Sequence, residues 1–264
     1  MKSRIIFWGA LIISLGLAAV AGYVFCTRVI FEGAGLESLI PAYIILLFLS
    51  IIFGDLVHEG AHLLVGYCCA MGIKPDRYRI FRTSSVNVYP KGARGMRGRM
   101  IATSVAGIAV NFACLVLGII ALCVPGISAL FGVLAPYSAY IFLVNAIPDD
   151  RNGAKNDGMM VWELITKSDS AEVLLQILRI QGLVRAGTKL ADVPEAMFFE
   201  VPQLPEDDLN FIILTQLRYE YYLERGNDSE AYKYFTRFKD LIQYLPSEYK
   251  EEAEVRKHNK AKDE

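Results

Sequence analysis

Three side chains in an otherwise apolar stretch carry the first chemical signal. His58-Glu59-Gly60-Ala61-His62 sets two imidazoles four residues apart, with a carboxylate between them. On a helix, positions i and i+4 share a face, so two neutral ring nitrogens can bind one Zn2+. Glu59 then projects beside them and can take a proton from a water held there. The pentapeptide also arises by chance in soluble helices. Here, however, it lies in a run from about Leu39 to Ala70 that is apolar except for Asp55, His58, Glu59 and His62. An ionisable group in a hydrophobic span costs several kcal/mol, so three adjacent burials need a compensating purpose.

Zinc wants a third protein ligand and a fourth place for water. The chain has three histidines, and His258 lies in a charged tail, which leaves carboxylates. Asp149, Asp150 and Asp157 follow the last apolar run, and Asp55 precedes His58 by three residues. From Ala42 to His58 a helix rises about 24 Å, placing the histidines in the last third of their span, where the final run also ends. A carboxylate from there can reach them. Asp55 shares their helical face and suits steadying an imidazole N–H, or lining a wet cavity.

The elements that must hold these groups follow from composition. Of 264 residues 54% are apolar, above the roughly 45–50% of soluble domains, and the mean hydropathy is +0.34. Residues 1–166 hold 13 Lys/Arg and 9 Asp/Glu, whereas 167–264 hold 14 and 19. A single soluble globule is excluded. A net charge of −1 gives no reason to invoke nucleic acid, and five cysteines without C-x-x-C spacing read as small hydrophobes. Four runs are long enough for a ~30 Å hydrocarbon core: about 5–26, 39–70, 100–124 and 127–147, the last two split by Pro125-Gly126. The basic start Met1–Arg4 and the small residues at 18–22 would also suit a cleaved leader, but ~22 apolar residues exceed the usual leader core.

Loop charge sets an orientation. Lys2 and Arg4 precede the first run, eight basic residues against Asp76 fill 70–99, and Arg151 and Lys155 follow the fourth. Four crossings put all three regions on the cytosolic face, with both termini inside. Within 70–99, Arg77–Phe81 and Ser85–Tyr89 alternate polar with apolar residues around Thr83-Ser84, and Pro90 ends the second. That predicts a small cytosolic β-hairpin, whose exposed edge could hold an extended segment by strand addition. A loop that only binds lipid headgroups would explain the basicity but not the alternation.

These motifs together resemble the site-2 protease family of intramembrane zinc metalloproteases. The resemblance rests on His58–His62, then Gly107-Ile108-Ala109-Val110-Asn111, then Asn145-Ala146-Ile147-Pro148 with Asn156-Asp157-Gly158, and covers about residues 40–165. It implies that Asp157 is the third zinc ligand and that Asn111 and Asn145 line the site. Two departures stand out: Asp157 lies nine positions beyond Pro148, more than the family's short approach, and Ile108 follows Gly107 where proline is common. The longer approach keeps Asp149 and Asp150 in view as ligands. Asn111 and Asn145 also suit plain interhelical hydrogen bonding, and Gly107 with Gly118 reads as close helix packing.

The expected architecture is therefore an α-helical polytopic membrane protein: a transmembrane metalloprotease domain over 1–166, with a cytosolic helical domain over 167–264. In the latter, Ala171–Leu183, Glu206–Glu224 and Ser229–Leu245 carry the 3.6 period, with breaks at Pro194, Pro202 and Pro205. Leu223–Asn227 with Ala231 and Phe235 faintly resembles one tetratricopeptide unit. This part reads as a regulatory or scaffolding module able to take a partner protein. The resemblance implies a bacterial cell membrane and a membrane-anchored protein or peptide as substrate. An inactive homologue that binds or scaffolds membrane proteins is the competing expectation, although a binder has no need of Glu59 in hydrocarbon. A metal or proton transporter would want more buried carboxylates across several spans.

Overall fold

The computed structural model describes residues 2–30, 35–74, 87–151 and 154–244. Among these, helices dominate. The chain divides into two compact units, Met1–Val88 with Gly98–Trp162, and Tyr89–Arg97 with Glu163–Glu264.

The first unit holds four helical segments long and apolar enough to cross a membrane, Ser3–Arg28, Glu37–Cys68, Met96–Cys123 and Ala129–Ala146. They belong to α1 (Lys2–Ile30), α2 (Leu36–Cys68), α3 (Met96–Cys123) and α4 (Leu134–Ala146), the last preceded by a 3-10 turn, Ala129–Val133. The helices overrun the apolar runs because a helix continues through charge: Lys2 and Arg4 open α1, and Arg97 and Arg99 open α3. Between α3 and the 3-10 turn, Gly126 takes φ +92°, a left-handed value that glycine adopts without strain.

Polar side chains tie the apolar helices where hydrocarbon offers no alternative partner. The Tyr43 hydroxyl donates to Ala18 O and the Ser14 hydroxyl to Pro136 O, joining α1 to α2 and to α4. The Arg28 guanidinium donates to Ala121 O at 2.7 Å, Leu122 O at 2.8 Å and Ile127 O at 3.3 Å. The Ala121 and Leu122 carbonyls lie in the last turn of α3, where carbonyls lack partners inside the helix, so the cation sits at its negative pole. Phe25, Leu39, Tyr43 and Val133 close the apolar core beside it.

Two short strands, β1 (Met71–Lys74) and β2 (Asn87–Pro90), pair with each other. The hairpin expected over 77–90 gains no support: Arg77–Phe81, Thr83-Ser84 and Ser85-Val86 lie outside the described residues, and only the end of the second segment, from Asn87, is described, within β2. The alternation marked strand character, yet the partner of β2 is the stretch that directly follows α2. A second pair, β3 (Asp150–Arg151) with β4 (Ala154–Lys155), is antiparallel, Asp150 opposite Lys155 and Arg151 opposite Ala154. It follows α4 and precedes α5 (Asp157–Thr166).

The second unit is helical: α6 (Asp169–Arg185), α7 (Ala196–Phe199), α8 (Leu209–Glu224) and α9 (Asp228–Leu241). Each long helix starts on a side-chain cap, Ser168, Asp208 or Asn227 accepting from a backbone N–H two or three residues on. Gly226, at φ +68°, turns α8 into α9. The core is Ile180, Leu190, Val193, Phe198 and Tyr221, with Val173, Ile177, Leu204 and Leu214 beside it. Arg218 donates twice to Phe198 O and lies over the Phe199 ring; burial pulls its pKa below the usual guanidinium value. Arg97 donates to Leu164 O at 2.6 Å and pairs with Glu172.

Candidate metal centre

The site lies in the first unit, where α2, α3 and α5 meet. His58 and His62 sit one helical turn apart and are both buried, 7% and 8% exposed. Their Nε2 atoms are 3.1 Å apart, and Asp157 Oδ2 stands 3.3 Å from each. The three donors form a nearly equilateral triangle, and His58, His62 and Asp157 make the one group of metal-capable side chains among the described residues.

Donors about 2.0–2.1 Å from a tetrahedral centre stand about 3.3 Å from one another. The triangle has that size. Two imidazoles and a carboxylate are also a zinc-type donor set, with a fourth position to spare, so the residues present fit the ion.

α3 runs antiparallel to α2 and offers one face to the histidines. Thr103, Gly107 and Asn111 recur every four residues on it. The carbonyl of Thr103 stands 2.7 Å from His62 Nδ1, and a carbonyl only accepts, so Nδ1 carries the hydrogen and Nε2 the lone pair. Asn111 Nδ2 stands 2.7 Å from His58 Nδ1. Asn111 is 1% exposed, and its Oδ1 is buried with no hydrogen-bond partner among the described residues. Gly107 lies between the two contacts. A Cβ there would come within 2.5 Å of His58 Cε1 and closer still to His62 Nε2, so the imidazoles occupy the space a side chain would fill. Reading Gly107 as helix packing alone therefore misses its place: it is the floor of the site.

Asp157 arrives by a different route. Asn156 caps α5, its Oδ1 accepting from Met159 N at 2.8 Å and from Asp149 N at 3.1 Å. Its Nδ2 donates to Val144 O at 2.6 Å and Ile147 O at 2.8 Å, the orphan carbonyls at the end of α4. Gly158 packs so tightly that a Cβ would lie 2.5 Å from Ala146 O and 2.6 Å from Asn145 O. These contacts fasten the start of α5 to the end of α4. The long approach from Pro148 is thereby explained: Asp150-Arg151 and Ala154-Lys155 pair as β3 and β4, and Asn156 N returns to Asp149 O at 3.2 Å. Burial alone would raise the Asp157 pKa, but the two imidazoles facing its carboxylate outweigh it and hold the carboxyl at about 2.

The other sequence candidates fall as follows. Asp149 is buried and Asp150 exposed, and neither belongs to the triangle. Asp55 does not steady an imidazole: both Nδ1 atoms are engaged by α3, and Asp55 Oδ1 instead accepts the Tyr137 hydroxyl at 2.6 Å. The i−3 spacing put Asp55 on the right face, but its carboxylate turns to α4. Asn145 contributes its backbone carbonyl against Gly158. Glu59 is half-buried beside His58. Thr103 was missed; the available signal was its place four residues before Gly107 and eight before Asn111, the spacing of an antiparallel partner to His58 and His62.

Compared with models of protein families, with curated proteins and with solved structures, the chain finds no match.

Proposed function

We propose that this protein is an intramembrane zinc metalloprotease that hydrolyses a peptide bond in or near the membrane segment of an anchored protein or peptide. The observation that carries the reading is the triangle of His58 Nε2, His62 Nε2 and Asp157 Oδ2, with sides of 3.1 and 3.3 Å, its two histidines on a helix apolar enough to span a bilayer. The sequence likeness to site-2 proteases supports the same reading.

Zinc, when bound, supplies Lewis acidity for the scissile carbonyl and makes water a better nucleophile at neutral pH. His58, His62 and Asp157 hold it. Glu59 takes a proton from the attacking water as its oxygen bonds to the carbonyl carbon, and delivers a proton to the amine nitrogen as the C–N bond breaks. The apolar helices limit competing water. A helical substrate must unwind first, because its carbonyls are occupied by their own hydrogen bonds. The loop charges favour the cytosolic face for the site and both termini, and the sequence likeness to site-2 proteases suggests a bacterial cell membrane.

The test is zinc content and cleavage, measured on the same full-length preparations with candidate anchored substrates. Asp157→Ala should lose zinc and activity together, whereas Glu59→Gln should keep zinc and lose cleavage by at least a hundredfold. Cleavage that survives Glu59→Gln removes Glu59 as the base, and a wild type that binds no zinc ends the reading. A substrate held but never cut by the zinc-loaded wild type would favour a scaffolding role.

A further inference from the structure

The two histidines are held in unlike ways. His62 Nδ1 faces the Thr103 carbonyl, which can only accept, so the neutral ring turns its Nε2 lone pair to the triangle. His58 Nδ1 faces a side-chain amide, which offers a donor at one end and an acceptor at the other. With Nδ2 toward Nδ1, the amide donates, so His58 carries its hydrogen on Nε2. That N–H points at the His62 Nε2 lone pair 3.1 Å away and closes a hydrogen bond where a metal would sit. The same arrangement leaves Asn111 Oδ1 buried and without a partner among the described residues. With the amide turned by a half rotation, Oδ1 accepts from Nδ1–H. Two lone pairs and the Asp157 carboxylate then converge within 3.3 Å with no hydrogen between the imidazoles, which only a cation stabilises.

We propose that Asn111 is a positioning residue whose side-chain amide switches His58 between a metal-free tautomer and a metal-ready one. His62 and Asp157 are standing ligands, and His58 joins them when the amide turns. This rests on the metal-binding reading above, and it adds an order of assembly and a residue that governs it.

Zinc affinity is measured on the chelator-stripped full-length protein in detergent, by competition with a chromophoric chelator. Asn111→Leu removes both hydrogen-bonding ends and should weaken binding about 10–100-fold. Asn111→Asp, whose carboxylate only accepts, fixes the metal-ready tautomer and should bind at least as tightly as wild type. Leu within threefold of wild type, or Asp as weak as Leu, overturns the switch. Nitrogen-15 spectra of the histidines in the wild type give a second readout that needs no variant. Without metal, His58 should carry its hydrogen on Nε2 and His62 on Nδ1; with zinc, His58 alone should move its hydrogen to Nδ1. A His58 already protonated at Nδ1 without metal overturns the inference while leaving the protease reading intact. A wild type that binds no zinc overturns both, and loss of cleavage with normal Asn111 behaviour overturns only the protease.

Discussion

Gly107 shows how an absent side chain can matter as much as a present one. Alanine at an ordinary helical position gains up to about 1 kcal/mol over glycine. At 107 the added methyl would enter the space of both imidazoles, whose Nδ1 atoms are already fixed by Thr103 and Asn111. Gly107→Ala should therefore keep its helicity and a melting temperature within a few degrees of wild type, yet lose at least tenfold in zinc affinity by chelator competition. Equal affinity would mean that the rings yield freely. The Asp157 carboxyl, held at about 2, contributes stability above its unfolded value near 3.8 that disappears as pH falls toward 2. Acid unfolding of the metal-free protein, followed by circular dichroism, should accordingly fall in that range and lose part of its pH dependence in Asp157→Asn.

At the scale of elements, the junction of α4 and α5 decides whether Asp157 reaches the two histidines. Asn156→Ala removes four side-chain hydrogen bonds, a loss of about 2–4 kcal/mol. Although Asp157 is untouched, zinc content should drop as far as in Asp157→Ala, while Asn145→Ala, which keeps its carbonyl against Gly158, should hold its zinc. The sequence signalled part of this. Asn156-Asp157-Gly158 was visible as a motif, but the nine-residue approach looked like a defect until β3 and β4 accounted for it. Strands of two residues, such as β3 and β4, are too short to carry an apolar period in the sequence. Asp55 was misplaced for a related reason: helical spacing gives the face of a residue and not the neighbour that meets it there. Tyr137 lies 82 positions away.

For the whole molecule, the spans were legible because lipid leaves a helix one course, to be long and uncharged. Charge balance alone separated them from the polar helices beyond residue 167. Their facing was less legible, since tertiary contacts such as Arg28 with α3 leave no periodic trace. The cysteines can test the proposed orientation. Cys68 ends α2 and Cys123 ends α3, both exposed, and α2 and α3 run in opposite directions, so the two thiols mark opposite ends of the bundle. In single-cysteine variants, a membrane-impermeant maleimide should label Cys123 in right-side-out vesicles and Cys68 only in inverted ones; the opposite pattern would reverse the topology. The clasp at Asn156 has a last corollary. Its four contacts reach backbone atoms of α4, α5 and the loop between them, and none depends on an ion. The cage should thus survive emptying and accept a foreign tenant: dialysed against cobalt, the stripped protein should turn blue, with the intense visible bands of a four-coordinate cobalt centre.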